Sequence, residues 1–68
     1  MKEYQENAVQ EQTELGQRLG KLAAFNRSDE FKSLDFPEQL RLQMQEHAMF
    51  LYLHLLAERI NNFGKAEE

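Results

Sequence analysis

Residues 48–56 are Ala-Met-Phe-Leu-Tyr-Leu-His-Leu-Leu. This run lies inside a segment with helical periodicity, and it makes that helix apolar around most of its circumference. A chain of 68 residues has too little interior to cover such a helix on every side. We therefore expect a homo-oligomer, in which a neighbouring copy covers the apolar surface that the chain itself leaves exposed.

The composition is that of one small folded domain spanning residues 1–68. Hydrophobic residues make up 41% of the chain and charged residues 29%, which is typical of a folded rather than a disordered protein. Because there is no cysteine, neither a disulfide nor a thiolate-bound metal stabilises the fold. Oligomerisation is the remaining way to stabilise so small a domain.

The first half of the chain predicts an amphipathic helix over residues 4–25 and a short corner turn over residues 28–34. Ser28 is a suitable N-cap for the turn, in which Phe31 and Leu34 face inward. The apolar residues of the helix recur with the helical period at Ala8, Leu15, Leu19 and Leu22. Gln12 occupies the position of this series between Ala8 and Leu15.

Asp35-Phe36-Pro37-Glu38 marks the start of a second helix, predicted over residues 36–63 and ended by Gly64. Its main apolar stripe comprises Leu42, Met49, Leu53, Leu56, Ile60 and Phe63. A second apolar stripe comprises Leu40, Met44, Ala48, Leu51 and Leu55. The first helix can cover only one stripe. The sequence therefore predicts an all-α helical hairpin whose other stripe packs on a neighbouring copy.

Two glycines four residues apart, Gly16 and Gly20, lie within the first helix. Glycine costs about 1 kcal/mol in a helix interior relative to alanine, so some close contact must offset it. That contact is either a neighbouring helix at an interface or a flat ligand that approaches the backbone.

Four further residues are candidates for binding an anionic, aromatic ligand. Arg18 and Lys21 are three residues apart and are either solvated surface charges or phosphate contacts. Tyr4 is either an apolar lid over a neighbour or a platform on which a base stacks. Arg59 either complements the helix dipole or binds phosphates or base edges through its planar guanidinium.

Other classes of function are disfavoured. His47 and His54 are about 10.5 Å apart along one helix, too far to share a metal ion, and we predict neither a metal nor a cofactor. No nucleophile motif, phosphate loop or carboxylate pair is visible, so catalysis is not expected.

The net charge of −4 disfavours binding to DNA or RNA polymers. The absence of a bilayer-spanning or signal-peptide segment predicts a protein that stays where it is made, away from membranes.

The chain resembles small phage proteins that sequester immune cyclic nucleotides, the anti-CBASS sponges, whose helical hairpin also occurs in an anti-Thoeris sponge. The resemblance covers about residues 15–60 and rests mostly on core and corner residues, which identify the fold better than the ligand. The matching positions are Arg18-Leu19-x-x-Leu22-x-x-Phe25, Ser28-x-x-Phe31-x-x-Leu34, Glu38-Gln39, Gln45, Met49-x-x-Tyr52-x-x-Leu55 and Arg59-Ile60.

This resemblance implies a compact hexamer that binds cyclic dinucleotides such as cGAMP between subunits and cyclic trinucleotides in separate pockets. It implies that Tyr4 stacks on a base and that Arg18 or Lys21 contacts the phosphates, with Gly16 and Gly20 giving close access. It also implies that Arg59 belongs to the trinucleotide pocket.

The function predicted in this way is non-catalytic sequestration of CBASS messengers in the cytoplasm of an infected bacterium. The alternatives are a structural or protein-interaction oligomer, a sponge for an ADP-ribose-derived Thoeris signal and, more distantly, a phosphodiesterase.

Overall fold

The computed structural model describes residues 2–66 as a helical hairpin. Two long helices, α1 (Glu3–Asn26) and α3 (Phe36–Asn61), run antiparallel. They are joined through the short helix α2 (Asp29–Lys32) and followed by α4 (Phe63–Ala66). The molecule is a rod of 51 × 15 × 14 Å. The predicted all-α hairpin is confirmed, whereas the oligomeric state stays a prediction.

The corner is fixed by side chains that satisfy main-chain groups at the helix ends. The Ser28 hydroxyl accepts a hydrogen bond from the Phe31 amide at 3.2 Å, as its predicted N-cap role requires. Phe31 is buried beneath the turn, and Leu34 is half-buried. Gln39 Nε2 donates to the Phe31 and Leu34 carbonyls, both at 3.0 Å. These bonds hold the start of α3 against the corner.

A second group of bonds ties the end of α1 to α3. Asn26 Nδ2 donates to the Leu42 carbonyl at 3.2 Å and to Glu46 Oε1 at 2.8 Å. Arg27 lies 3.9 Å from the same carboxylate. The antiparallel pairing of α1 and α3 is therefore fixed by polar contacts close to the corner.

The start of α3 agrees with the sequence signals, but its end does not. Asp35 Oδ1 accepts a hydrogen bond from the Glu38 amide at 2.9 Å, and Pro37 lies in the first turn. The helix ends at Asn61 rather than at residue 63, because the Asn62 side chain donates back to the Glu58 carbonyl at 2.7 Å and the chain turns there. Gly64 does not terminate α3, since it lies within α4 with a negative φ.

The two predicted apolar stripes differ in burial: the main stripe, here called the inner stripe, lies towards α1, and the second stripe, here called the outer stripe, lies towards solvent. Leu56 of the inner stripe is completely buried against α1, and the rest of that stripe is half-buried. Every member of the outer stripe is exposed, with Met44 at 66% and Leu51 at 59%. The prediction that α1 covers only one stripe is therefore confirmed.

Candidate functional site

An open groove runs between α1 and α3 on one side of the hairpin, here called the groove side. Its volume is about 640 Å³. Gly16 and the side chains of Phe50 and His54 lie along it. The complete lining is Gln12, Thr13, Gly16 and Gln17 from α1 with Phe50, Leu53, His54 and Ala57 from α3. The groove is mostly apolar and open to solvent.

The two glycines of α1 have open space beside them among residues 2–66. A Cβ atom added at Gly16 or at Gly20 would meet no atom within 4 Å. The part of the chain that the structure describes therefore supplies no close contact that would offset the cost of glycine in a helix. Both sequence interpretations, a neighbouring helix and a bound ligand, require a molecule outside this chain.

The opposite side of the hairpin, here called the tyrosine side, carries Tyr4, Glu11, Tyr52 and Arg59. The Tyr4 ring meets Phe63 edge to face, with ring centroids 5.7 Å apart and an interplanar angle of 77°. This contact holds the Tyr4 ring over Phe63 at the open end of the hairpin. Tyr4 is nevertheless 51% exposed, so part of the ring remains available for stacking.

A polar bridge joins the two helices on the tyrosine side. The Tyr52 hydroxyl donates to Glu11 Oε2 at 2.5 Å. This hydrogen bond, with burial and the negative charge of Glu11, raises the pKa of Tyr52, and the positive charge of Arg59 opposes the shift. Arg59 follows Tyr52 by seven residues and therefore lies on the same face of α3. Within residues 2–66 the Arg59 side chain has no hydrogen-bond or ion-pair partner.

The six sequence-predicted site residues do not converge within one protomer. Tyr4 and Arg18 are 14 residues apart on the continuous helix α1, which separates their Cα atoms by about 21 Å. Arg18 also lies about 160° around the helix from both Gly16 and Gly20, at about 100° per residue. Only Tyr4 and Arg59 share the open end of the tyrosine side. The exposed side chains of Arg18 and Lys21 have no partner among residues 2–66.

Sequence reasoning missed Glu11 and Tyr52 as members of this cluster. Their signal lies in the spacing, because Glu11 follows Tyr4 by seven residues and Tyr52 precedes Arg59 by seven. Residues seven apart lie on one face of a helix. An antiparallel hairpin then brings the start of the first helix beside the end of the second. The sequence pattern does not give the rotation of each helix about its own axis, and this rotation decides which faces of the two helices meet.

The histidines show no metal-binding arrangement. His54 Nε2 lies 3.1 Å from Glu58 Oε1 at the surface, whereas His47 lines a polar depression of about 390 Å³ with Asn26, Arg27, Gln43 and Glu46. Residues 2–66 contain no group of three or more histidine, cysteine or acidic side chains that could hold a metal ion. No helix in this part of the chain combines the length and apolar character needed to cross a membrane.

These features describe a small helical hairpin with an exposed aromatic ring, an open groove and two guanidinium groups, those of Arg18 and Arg59, that have no partner among residues 2–66. Such a surface is suited to binding. A protein-family model described as Sequestin matches residues 2–62. The chain belongs to the Sequestin family, and this match confirms the resemblance to sponge proteins. No curated protein and no solved structure matches the chain. The family name denotes sequestration and so indicates a binding rather than a catalytic role.

Proposed function

We propose that this protein is a non-catalytic sponge for cyclic oligonucleotide immune messengers, both cyclic dinucleotides such as cGAMP and cyclic trinucleotides. It acts in the cytoplasm of an infected bacterium, where it withholds the messenger from the CBASS effector. The observation that carries this proposal is the Sequestin match over residues 2–62. A sponge works by mass action, so its affinity must exceed that of the effector's sensor.

The tyrosine side offers the chemistry that such a ligand needs. A base stacked on an aromatic side chain gains about 1–3 kcal/mol, and Tyr4 presents a half-exposed ring that Phe63 supports. A guanidinium can donate two parallel hydrogen bonds to a phosphate. Because the Arg59 side chain has no partner within residues 2–66, a phosphate would not have to displace an existing ion pair there.

The surface area supports assembly into a homo-oligomer, for which we propose a hexamer. The chain exposes 5294 Å², whereas a compact monomer of its mass would expose about 4,500 Å². The excess of about 800 Å² matches the area that one partner contributes to an interface of standard size. The outer stripe supplies the apolar surface that such an interface would bury.

Assembly would also explain why the predicted site residues are dispersed. The Cα atom of Arg18 lies about 21 Å along α1 from that of Tyr4, and Lys21 lies about 4.5 Å further on, so these side chains are not adjacent within one protomer. A pocket between subunits can combine Tyr4 of one copy with Arg18 or Lys21 of another. The open groove beside Gly16, where an added Cβ would meet no neighbour, leaves room for a second chain or for the ligand itself.

Native mass spectrometry of the protein with an equimolar panel of cyclic di- and trinucleotides tests the proposal. We expect an oligomer that retains nucleotide, and denaturation should release that nucleotide intact. Release of linear product would instead show a phosphodiesterase. An oligomer that binds nothing would favour the protein-interaction alternative, in which the outer stripe docks another protein.

Substitution of the basic residues sharpens this test. We expect Arg18→Glu with Lys21→Glu to abolish dinucleotide binding without dissociating the oligomer. A matched control is Lys32→Glu with Arg41→Glu, which makes the same charge change at exposed ion pairs near the corner. Unchanged affinity in an assembled Arg18/Lys21 variant would remove those two residues from the site.

A further inference from the structure

The tyrosine side contains a carboxylate that phosphate binding does not explain. Glu11 lies seven residues after Tyr4 on α1, about 10.5 Å along the helix axis and on the same face. It shares this side with Arg59, the group suited to a phosphate. A carboxylate would repel a phosphate, so a ligand that reaches from Tyr4 towards Glu11 must offer it hydrogen-bond donors instead.

Glu11 is held in place rather than free to swing away. The Tyr52 hydroxyl donates to Oε2 from across the hairpin, which fixes the carboxylate relative to both helices. Within residues 2–66 no hydrogen bond or ion pair uses the other oxygen, Oε1. An ionised carboxylate only accepts hydrogen bonds. The carboxylate therefore offers an acceptor, and no donor of its own, to a ligand that extends from Tyr4 to Glu11.

We propose that Glu11 makes the pocket on the tyrosine side selective for guanine over adenine. Unstacked bases bound on aromatic rings are recognised through hydrogen bonds to their Watson–Crick edges. Guanine presents two adjacent donors on that edge, N1–H and the N2 amino group, and a carboxylate can accept both. Adenine presents one amino donor beside the N1 acceptor, whose lone pair faces the carboxylate unfavourably.

In this arrangement each side chain of the tyrosine side contacts a different part of the nucleotide. Tyr4 stacks on the base, Glu11 accepts from its edge, and Arg59 remains available to the phosphate. Tyr52 is a positioning residue, because its hydroxyl holds the carboxylate without being required to touch the ligand. This inference rests on the proposed sponge function, since it concerns which base that function selects.

The test compares the dissociation constants of cyclic di-GMP and cyclic di-AMP by isothermal titration calorimetry. We expect the wild-type protein to prefer cyclic di-GMP by roughly tenfold or more, the scale of a good bidentate contact to a base. Glu11→Gln retains the size of the side chain but replaces one acceptor oxygen with a donor, and it should bring the two constants within about threefold.

Glu14→Gln is the matched control. It makes the same charge change three residues further along α1, where the carboxylate accepts from Gln10 of its own helix at 3.2 Å. This variant should keep the wild-type preference. Circular dichroism of each variant checks that the helices persist.

The outcomes separate this inference from the function on which it rests. If the wild-type protein binds both dinucleotides equally, or if Glu11→Gln keeps the wild-type ratio, Glu11 does not select the base and the sponge function stands. If no cyclic nucleotide of either size binds, the sponge function itself fails. Should Glu11→Gln unfold, the wild-type ratio alone still decides, since a ratio near one overturns the inference.

Discussion

The inner and outer stripes of α3 are chemically alike, yet the structure treats them oppositely. Leu56 and Leu51 are leucines five residues apart on one helix, but Leu56 is fully buried and Leu51 is 59% exposed. The difference arises because the chain supplies one long helix to pack against α3, and one helix covers only one face. An apolar pattern thus predicts which residues need a partner, while the number of helices in the chain decides which residues find one internally.

The largest effect should come from shortening the buried leucine of the inner stripe. We expect Leu56→Ala to lower the free energy of unfolding by about 2–5 kcal/mol, since it removes buried methyl groups and leaves a cavity against α1. Denaturant unfolding followed by circular dichroism measures this change. Leu55→Ala is the matched control, because the neighbouring leucine is 47% exposed.

The effects of the two substitutions on stability should also depend differently on protein concentration. The loss caused by Leu56→Ala should be similar at low and high concentration, because the cavity lies within the protomer. The loss caused by Leu55→Ala should grow with concentration, since it acts through assembly. Equal, concentration-independent losses would show that the two stripes do not differ as the structure indicates.

A charge in the outer stripe should break assembly and leave the hairpin folded. Leu51→Glu places a carboxylate on the surface that we propose a neighbouring copy covers, where burying an unpaired charge is costly. We expect native mass spectrometry to show a protomer-sized species with wild-type helicity. Gln43→Glu adds the same charge at an exposed position outside both stripes and should leave the mass unchanged. An intact oligomer in Leu51→Glu would place the interface elsewhere.

The smallest effect concerns the Tyr52–Glu11 bridge beside these stripes. The folded pKa of Tyr52 is raised above its usual value of about 10 by the hydrogen bond to Glu11. The bridge therefore contributes its full stability below the unfolded pKa, and this contribution disappears as the pH rises through the folded pKa. Melting temperatures of wild-type protein and Tyr52→Phe should differ near neutral pH and converge in strong alkali. A constant difference across that range would contradict the assignment of the shift to this bridge.

Local signals predicted the corner of the hairpin well. Ser28 and Asp35 cap helices within their own turns, so their hydrogen bonds require only residues three positions away. The end of α3 was harder to predict, because Asn62 closes the helix through its side chain before Gly64 is reached. A glycine permits a helix to end, but it does not oblige it to do so.

The candidate site could be predicted only in part. Tyr4 and Arg59 were predicted from residue type and position, and their role in binding stays a prediction; the structure places both at the open end of the hairpin. The proximity of Glu11 to Tyr52 was not recognised, since those residues are 41 positions apart in the chain. The separation of Tyr4 from Arg18 follows from the length of an uninterrupted helix. Within one protomer this length keeps Arg18 and Tyr4 apart. A pocket that contains both residues would need Tyr4 of one copy and Arg18 of another.

The sequence by itself determined two amphipathic helices, a capped corner between them and an excess of apolar surface over what two helices can bury. These properties are local or compositional, so the order of residues suffices to fix them. Only the tertiary structure decided which stripe of α3 lies against α1, how the candidate residues divide between the groove side and the tyrosine side, and that Glu11 meets Tyr52. Those outcomes depend on the rotation and register of two packed helices, which are set by all of their contacts together.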